Sequence, residues 1–260
     1  MGALKGKAAI VTGASRGMGR AIAQAMIEAG SKVALFSRSG SEISETAASL
    51  GSNAVGIECD VSDPASVKAA VAKAAAFLGG VDFLINNAGV CGLAKVDSIS
   101  DDHLAREIGI NLVGPILCCR EAMPYLRASR GHIVNVTSEL ARRPSPWLSV
   151  YSATKAGLET FTSGLVQELR SEGIRVTALR SGAVRTTVSR DWNPEKAAAF
   201  FKDIVESGNA WFTGGGVSPE AMAEGLISIL TMPLEINVDL VEMRSSTPYS
   251  SRKGETGRGN

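Results

Sequence analysis

The sequence predicts one α/β domain built on a doubly wound sheet: predominantly parallel, seven-stranded, with helices on both faces. Three observations carry that prediction. Seven short apolar runs punctuate the chain, none of them alternates apolar with polar, and amphipathic stripes at helical spacing separate them without an intervening linker. A strand covered on both faces has no solvent side to leave polar, so continuous Val, Ile, Leu and Ala runs point to a parallel sheet between helices. Repetition of strand and helix along one unbroken chain then gives the doubly wound order.

The strands are expected at Ala8–Thr12, Lys32–Ser37, Ala54–Cys59, Phe83–Asn86, His132–Thr137, Ile174–Leu179 and Ile236–Met243. Between the first two, Ile22, Ala25, Met26 and Ala29 make a helical stripe. A long stripe runs through Leu104, Ile108, Leu112, Ile116, Cys119, Met123 and Leu126, and Pro115 is expected to break or bend it. Leu158, Phe161, Leu165 and Leu169 form another. Residues 1–244 are read as the domain. Within it, residues 187–217 depart from the pattern: Trp192, Phe200, Phe201, Trp211, Phe212 and the run Gly214-Gly215-Gly216 suit a substrate lid over an apolar pocket, or else a helical insertion packed on the core. Residues 245–260 read as a polar, flexible tail.

With 45% hydrophobic residues the chain has material for a large core, which excludes a disordered or collagen-like protein. Its 27 basic against 26 acidic residues leave no surplus for neutralising nucleic-acid phosphates. The cysteines Cys59, Cys91, Cys118 and Cys119 show no C-x-x-C pair, and His103 and His132 are the only histidines, so neither a metal site nor a disulfide framework is expected. No apolar run approaches the roughly 20 residues of a membrane helix, and Met1–Gly6 lacks a signal-peptide pattern. The expectation is a cytoplasmic protein acting on a small molecule.

Directly after the first strand comes Thr12-Gly13-Ala14-Ser15-Arg16-Gly17-Met18-Gly19-Arg20, then a helix. Glycines let the backbone turn sharply and approach a bulky anion, and the helix N-terminus offers unpaired N–H groups, so this turn can cradle a pyrophosphate. Where dinucleotide folds carry an acidic residue for the ribose 2′-OH, this chain has Ser37-Arg38. Serine leaves room for a 2′-phosphate, and the guanidiniums of Arg38 and Arg16 can pair with it, which favours NADP(H).

The spacing Thr-Gly-x-x-x-Gly-x-Gly resembles the short-chain dehydrogenase/reductase family, with Met18 where that family usually has Ile. The resemblance implies a Rossmann-type fold and a nicotinamide dinucleotide held by Gly13, Ser15, Arg16, Gly17, Met18 and Gly19. It also implies that Asp60 bonds the adenine amino group and Val61 lines the ring, although Asp60 on its own also reads as a helix cap. Asn86-Asn87-Ala88-Gly89 is a further family signature, placing Asn87, Ala88 and Gly89 beside the cofactor.

Four residues carry the chemistry. Tyr151 and Lys155 stand four apart at the start of a helix and so share one face. An ammonium beside a phenol favours the phenolate, so Lys155 is expected to lower the Tyr151 pKa towards the working range. Ser138 ends the fifth strand, where its hydroxyl can hold the substrate oxygen. A serine nucleophile is excluded by distance, because His132 begins the same strand, about 20 Å away at roughly 3.3 Å per residue. Asn111 reads as a packing residue near the Pro115 break, and the resemblance implies that it holds a water joining Lys155 to solvent, while Lys155 also holds the ribose hydroxyls.

The match covers roughly residues 5–190, and besides Met18 the chain departs from the family pattern in two places. Ser181 replaces the usual proline after the sixth strand, which predicts a looser loop, while Gly182, Val184 and Thr186 still match and are expected at the carboxamide. The C-terminal portion lacks the family's common Asp-Gly-Gly ending and looks more like the branch that reduces small aldehydes or oxidises 3-hydroxy acids. Arg142 and Arg143 could meet an acidic substrate or be solvated. The function expected is NADPH-dependent reduction of a carbonyl, with an NADP-linked alcohol or 3-hydroxy-acid dehydrogenase as the alternative and a non-catalytic NADP(H) sensor as the alternative of another class. The helices at 104–128 and 151–170 are expected to pack against other copies in a dimer or tetramer, as in the family.

Overall fold

The computed structural model describes residues 2–186, 192–208 and 216–246. Their strands are β1 (Ala8–Thr12), β2 (Lys32–Ser37), β3 (Ala54–Glu58), β4 (Phe83–Asn86), β5 (His132–Ser138), β6 (Arg175–Ser181) and β7 (Leu240–Met243), joined in the order β3-β2-β1-β4-β5-β6-β7. Every pairing is parallel. The helices are α1 (Gly17–Glu28), α2 (Gly40–Leu50), α3 (Pro64–Leu78), α4 (Asp101–Ile108), α5 (Gly114–Ser129), α6 (Ser149–Leu169), α7 (Pro194–Glu206) and α8 (Pro219–Leu230).

The missing alternation has a direct cause. Successive strand side chains point to opposite faces, and here both faces are core. Ile10, Leu84, Ile133 and Val176 pack on one side with Val71 of α3, Leu126 of α5 and Leu165 of α6. Their neighbours Val11, Ile85 and Val134 pack on the other with Ile22 and Met26 of α1 and Leu226 of α8. The chain winds outward from β1 to β3, then returns to lay β4 beside β1, pairing Ile10 with Leu84. The crevice beyond the carboxyl ends of β1 and β4 is the switch point where open α/β sheets bind ligands.

Four strands differ in their limits from the expected ones. β3 stops one residue early and β5 extends one further, to Ser138. β6 runs on to Ser181 because Arg180 and Ser181 pair in register with Thr137 and Ser138, so polar residues continue a ladder that the apolar run predicted to end at Leu179. β7 is shorter than expected: the Asn237 amide accepts from Val176 N–H at 2.9 Å and donates to Val176 O at 3.1 Å, so a side chain substitutes for the ladder there.

The long stripe from Leu104 divides into α4, a π turn at Gly109–Val113 and α5. Pro115 lies in the first turn of α5 rather than at the break. It lacks the N–H that would bond the Asn111 carbonyl in a regular α-helix, and Gly114 N–H reaches back five residues to Gly109 O. In the expected lid region Trp192 and α7 are described, whereas 187–191 and 209–215, including Trp211, Phe212, Gly214 and Gly215, lie outside the described residues. So does the tail beyond residue 246. Among the described residues no helix is long and apolar enough to cross a membrane, and no cluster of potential metal ligands occurs.

Candidate active site

A cleft of about 910 Å³ runs along the carboxyl edge of the sheet. Gly13, Arg16, Gly17, Met18, Gly19, Arg38, Asn87 and Gly89 line one end; Ser138, Tyr151, Lys155, Gly182, Val184 and Thr186 lie further along it. Ser15, Ser37, Asp60, Val61, Ala88 and Asn111, also expected at the site, are not among the cleft's lining residues. Asp60 accepts from Ser62 N–H and Ser62 Oγ at 2.9 and 2.6 Å, and the residue that caps α3 is Asp63.

The glycine turn is shaped by close approach. Gly13 sits at φ +64°, and a Cβ there would lie 2.8 Å from Ala88 Cα. A Cβ on Gly19 would strike the Gly13 carbonyl. Thr12 Oγ1 accepts from Asn87 N–H and Ala88 N–H at 3.0 and 2.9 Å, and Asn87 Nδ2 donates to Thr12 O at 2.9 Å, locking β1 to the end of β4. Ser39, Asp63, Ser100, Asn193 and Ser218 cap α2, α3, α4, α7 and α8. By contrast α1 has neither a side-chain cap nor an acidic residue in its first turn. Its uncapped N–H groups, opening off a glycine cradle, fit an anionic group such as a dinucleotide pyrophosphate.

Tyr151 and Lys155 do share a face of α6, with Lys155 Nζ 5.9 Å from the centre of the Tyr151 ring. The Lys155 side chain is buried and Nζ donates to Val136 O at 2.9 Å. Burial pushes its pKa down to about 8, against the opposing pull of Cys91 and Glu107. The expectation that Lys155 lowers the Tyr151 pKa is not met. Burial holds the phenol above its ordinary value, with Cys91, Glu107 and Glu139 adding to the shift, and the hydrogen bond with Ser138 opposes it. Desolvation outweighs an ammonium that lies beside the ring and spends a hydrogen bond on a carbonyl.

Asn111 is held from both sides by the loop after β4: Oδ1 accepts from Val90 N–H and Nδ2 donates to Val90 O, each at 2.8 Å. Nδ2 also lies 3.3 Å from Thr154 Oγ1, tying the π turn to α6. A Cβ on Gly89 would lie 3.4 Å from Asn111 Oδ1 and 3.5 Å from Lys155 Nζ, so this glycine separates the two. In the loop after β6 the Ser181 hydroxyl donates to Gly182 O at 2.9 Å. Gly182 N–H bonds Met243 O at 2.8 Å, and Val217 N–H and Arg185 N–H bond Ala183 O and Val217 O at 2.9 Å each. From Gly182 to Arg185 the backbone is thus bonded to β7 and to Val217.

Beyond Tyr151 the cleft is lined by groups the sequence did not single out. Glu107 is buried, accepts from Gly92 N–H at 3.0 Å, and has its pKa raised chiefly by burial. Trp192 Nε1 donates to Cys91 O at 2.7 Å and its ring meets Phe200 edge-on. Asp203 of α7 accepts from Trp147 Nε1 at 2.8 Å and pairs with Lys95 at 2.9 Å. Below Ser138, Arg180 pairs with Glu159 and Glu242, and Thr137 bonds Glu159, fastening α6 to β5, β6 and β7. A charge flanked by apolar residues in a strand signals such a network; nothing local signals Glu107, whose burial depends on the loop after β4. Arg142 and Arg143 are exposed and outside the cleft lining.

The family model described as short chain dehydrogenase matches residues 7–197. An uncharacterized oxidoreductase of Staphylococcus aureus (strain MRSA252) is 30% identical over 246 residues, spanning 94% of this chain and 99% of its own. A 3-ketoacyl-(acyl-carrier-protein) reductase from Brucella melitensis, solved with NADH, superposes with a TM-score of 0.80 at 28% identity, covering 92% of this chain and 97% of that one. An alcohol dehydrogenase from Thermococcus sibiricus, solved with 5-hydroxy-NADP, superposes at 0.79 with 27% identity and the same coverage. With the glycine cradle opening α1 and the Ser138, Tyr151 and Lys155 cluster on one sheet edge, these matches make the chain an oxidoreductase that belongs to the short chain dehydrogenase family.

Proposed function

We propose that this protein reduces an aldehyde or ketone to an alcohol at the expense of NADPH. The observation that carries this reading is the arrangement on α6 and β5: Tyr151 is hydrogen-bonded to Ser138 and shares a helix face with Lys155, so its hydroxyl is placed to give a proton to a carbonyl oxygen. Two structural neighbours are described with NADH and with 5-hydroxy-NADP, which supports a nicotinamide dinucleotide here. Arg16 and Arg38 at one end of the cleft, with no carboxylate at the end of β2, support the 2′-phosphorylated form.

When bound, that coenzyme supplies the hydride. The chain does the rest. Gly13, Gly17, Met18 and Gly19 hold the pyrophosphate against the N-terminus of α1, with Ser15 in the same turn and Ser37 beside Arg38. Asp60 and Val61 border the adenine, Asn87, Ala88 and Gly89 lie beside the coenzyme, and Gly182, Val184 and Thr186 border the carboxamide. Lys155 holds the ribose hydroxyls, Ser138 orients the substrate oxygen, and Tyr151 donates the proton, which Lys155 and the Asn111 segment replace from water. Exposed Ile108, Val113 and Ile116 support a homo-oligomer through the α4–α5 face, in the cytoplasm.

The test is coenzyme absorbance followed with a panel of aldehydes, ketones and the corresponding alcohols, each with NADPH or NADP⁺ and with NADH or NAD⁺. Oxidation of NADPH by carbonyls at neutral pH, well above the reverse rate, is expected. Turnover of alcohols alone would reverse the direction, and none at all would leave a nucleotide-binding protein without this reaction.

A further inference from the structure

We propose that the substrate end of the cleft selects uncharged carbonyl compounds bearing an aryl or comparably bulky apolar group, and discriminates against those bearing a carboxylate. This rests on the carbonyl-reduction reading and narrows it.

Tyr151 faces two surroundings. Towards β5 it meets Ser138, and on its other side it packs on an apolar cluster of Leu93, Leu140, Leu148, Phe200 and Ile204, joined by Trp192. Leu93, Leu140, Leu148, Trp192 and Phe200 also line the cleft, so this cluster presents a wall to the space beyond the phenol. The wall is fixed. Trp192 is held by its bond to Cys91 O, Phe200 meets it at 5.4 Å between ring centres with an interplanar angle of 81°, and α7 is anchored through Asp203 to Trp147 and Lys95. A preformed apolar wall rewards a ring that fills it, and aromatic groups meet it edge-on or offset.

Charge sets the second half of the selection. Glu107 and Glu139 line the same end, each held above the ordinary carboxyl range chiefly by burial. When ionised, each repels a substrate carboxylate. Arg106 and Lys196 line the cleft but are exposed at its rim, and His103, half-buried in the lining, faces the Glu107 carboxylate at 3.5 Å. Among the described residues the buried cation near Tyr151 is Lys155, already bonded to Val136 O. A carboxylate next to the reacting carbonyl would give up its water for no counter-charge, a penalty that an ester of the same skeleton escapes.

The experiment compares kcat/KM for 1-phenylethanone against propanone, and for ethyl 2-oxo-2-phenylacetate against its free acid, using whichever coenzyme turns over. The phenyl ketone is expected to exceed propanone by roughly 10- to 100-fold, the gain from burying a ring, and the ester to exceed the acid by at least about tenfold. In Phe200→Leu the first ratio shrinks several-fold while circular dichroism and melting temperature report an intact fold. Independently of turnover, 1-phenylethanone should quench tryptophan fluorescence saturably in the wild type and less in Trp192→Phe. Equal rates within either pair, or preference for the free acid, overturn the proposal, as does quenching that never saturates. Saturable quenching with no reduction of any carbonyl keeps the pocket and sinks the reductase reading instead.

Discussion

The two ends of the cleft are built by different means. The end at Gly13–Gly19 is made of backbone: glycines in close approach, helix N–H groups and strand termini fixed by the sheet register. The far end is made of side chains from three separate pieces, the loop after β4, the segment Glu139–Leu148 and α7, cross-tied by Trp192 to Cys91 and by Asp203 to Trp147 and Lys95. Backbone geometry tolerates little change, because it has few alternatives. Side-chain walls can be rebuilt one residue at a time on the same sheet, and that is how one fold serves many substrates. Substitutions at the two ends should therefore fail differently: at the first in coenzyme binding, at the second in substrate preference, and at their junction in chemistry.

The junction gives the largest effect. Tyr151→Phe removes the proton donor and keeps the ring, so turnover should fall by roughly 100- to 10,000-fold while NADPH fluorescence titration gives an affinity within about twofold of the wild type. Retained turnover would remove Tyr151 from the chemistry, and lost binding would place it in the coenzyme end. Next comes Arg38→Glu, which exchanges a cation at the cleft for a carboxylate. The ratio of NADH to NADPH affinity should rise by roughly 10- to 100-fold, the worth of one or two charge-assisted hydrogen bonds. An unchanged ratio would show that Arg38 does not read the 2′ position.

The same division decides what the sequence reveals. The glycine turn, the end of β4 and the Tyr151/Lys155 pair are local in sequence, so spacing alone exposes them, and the absence of alternation follows directly from two covered faces. The π turn at Gly109–Val113 was hidden because apolar residues keep a near-helical spacing through it; Pro115 marked the disturbance a few residues late. The rise in the Tyr151 pKa was hidden because helical spacing reports adjacency to Lys155 and says nothing of burial, which comes from the apolar cluster of Leu93, Leu140, Leu148 and Phe200 on other elements. Glu107 itself reads as one more surface charge until the loop carrying Gly92 folds over it.

A smaller effect tests the anchoring of the side-chain wall. Trp147 adopts φ +67°, a conformation unusual for a bulky residue, and its indole N–H is spent on Asp203. Asp203→Ala releases that bond and the Lys95 pair together, so α7 should loosen over the cleft. KM for the best carbonyl substrate should rise about three- to tenfold with kcat within a factor of two, since Asp203 touches none of the reacting groups. A fall in kcat with KM unchanged would mean that the anchor positions Tyr151 and not the wall.

The smallest effect lies where the ends meet and needs no substrate. Lys155 is held at about 8 in the folded chain against 10.5 for the free side chain. Above pH 8 the folded protein has released a proton that the unfolded chain still binds, so this group makes stability rise with pH, by about 1 kcal/mol from pH 8 to pH 9. Thiols act in the opposite sense: Cys59 is pushed up to about 11 and Cys91 and Cys119 to about 12 from 9.0, so the folded chain keeps protons that the unfolded chain loses. Subtracting the urea-unfolding free energies of Lys155→Met from those of the wild type at each pH cancels the thiols and leaves the lysine. The difference should climb between pH 7 and 9; a flat difference would mean that the buried ammonium keeps an ordinary pKa, and that its bond to Val136 O offsets its loss of water.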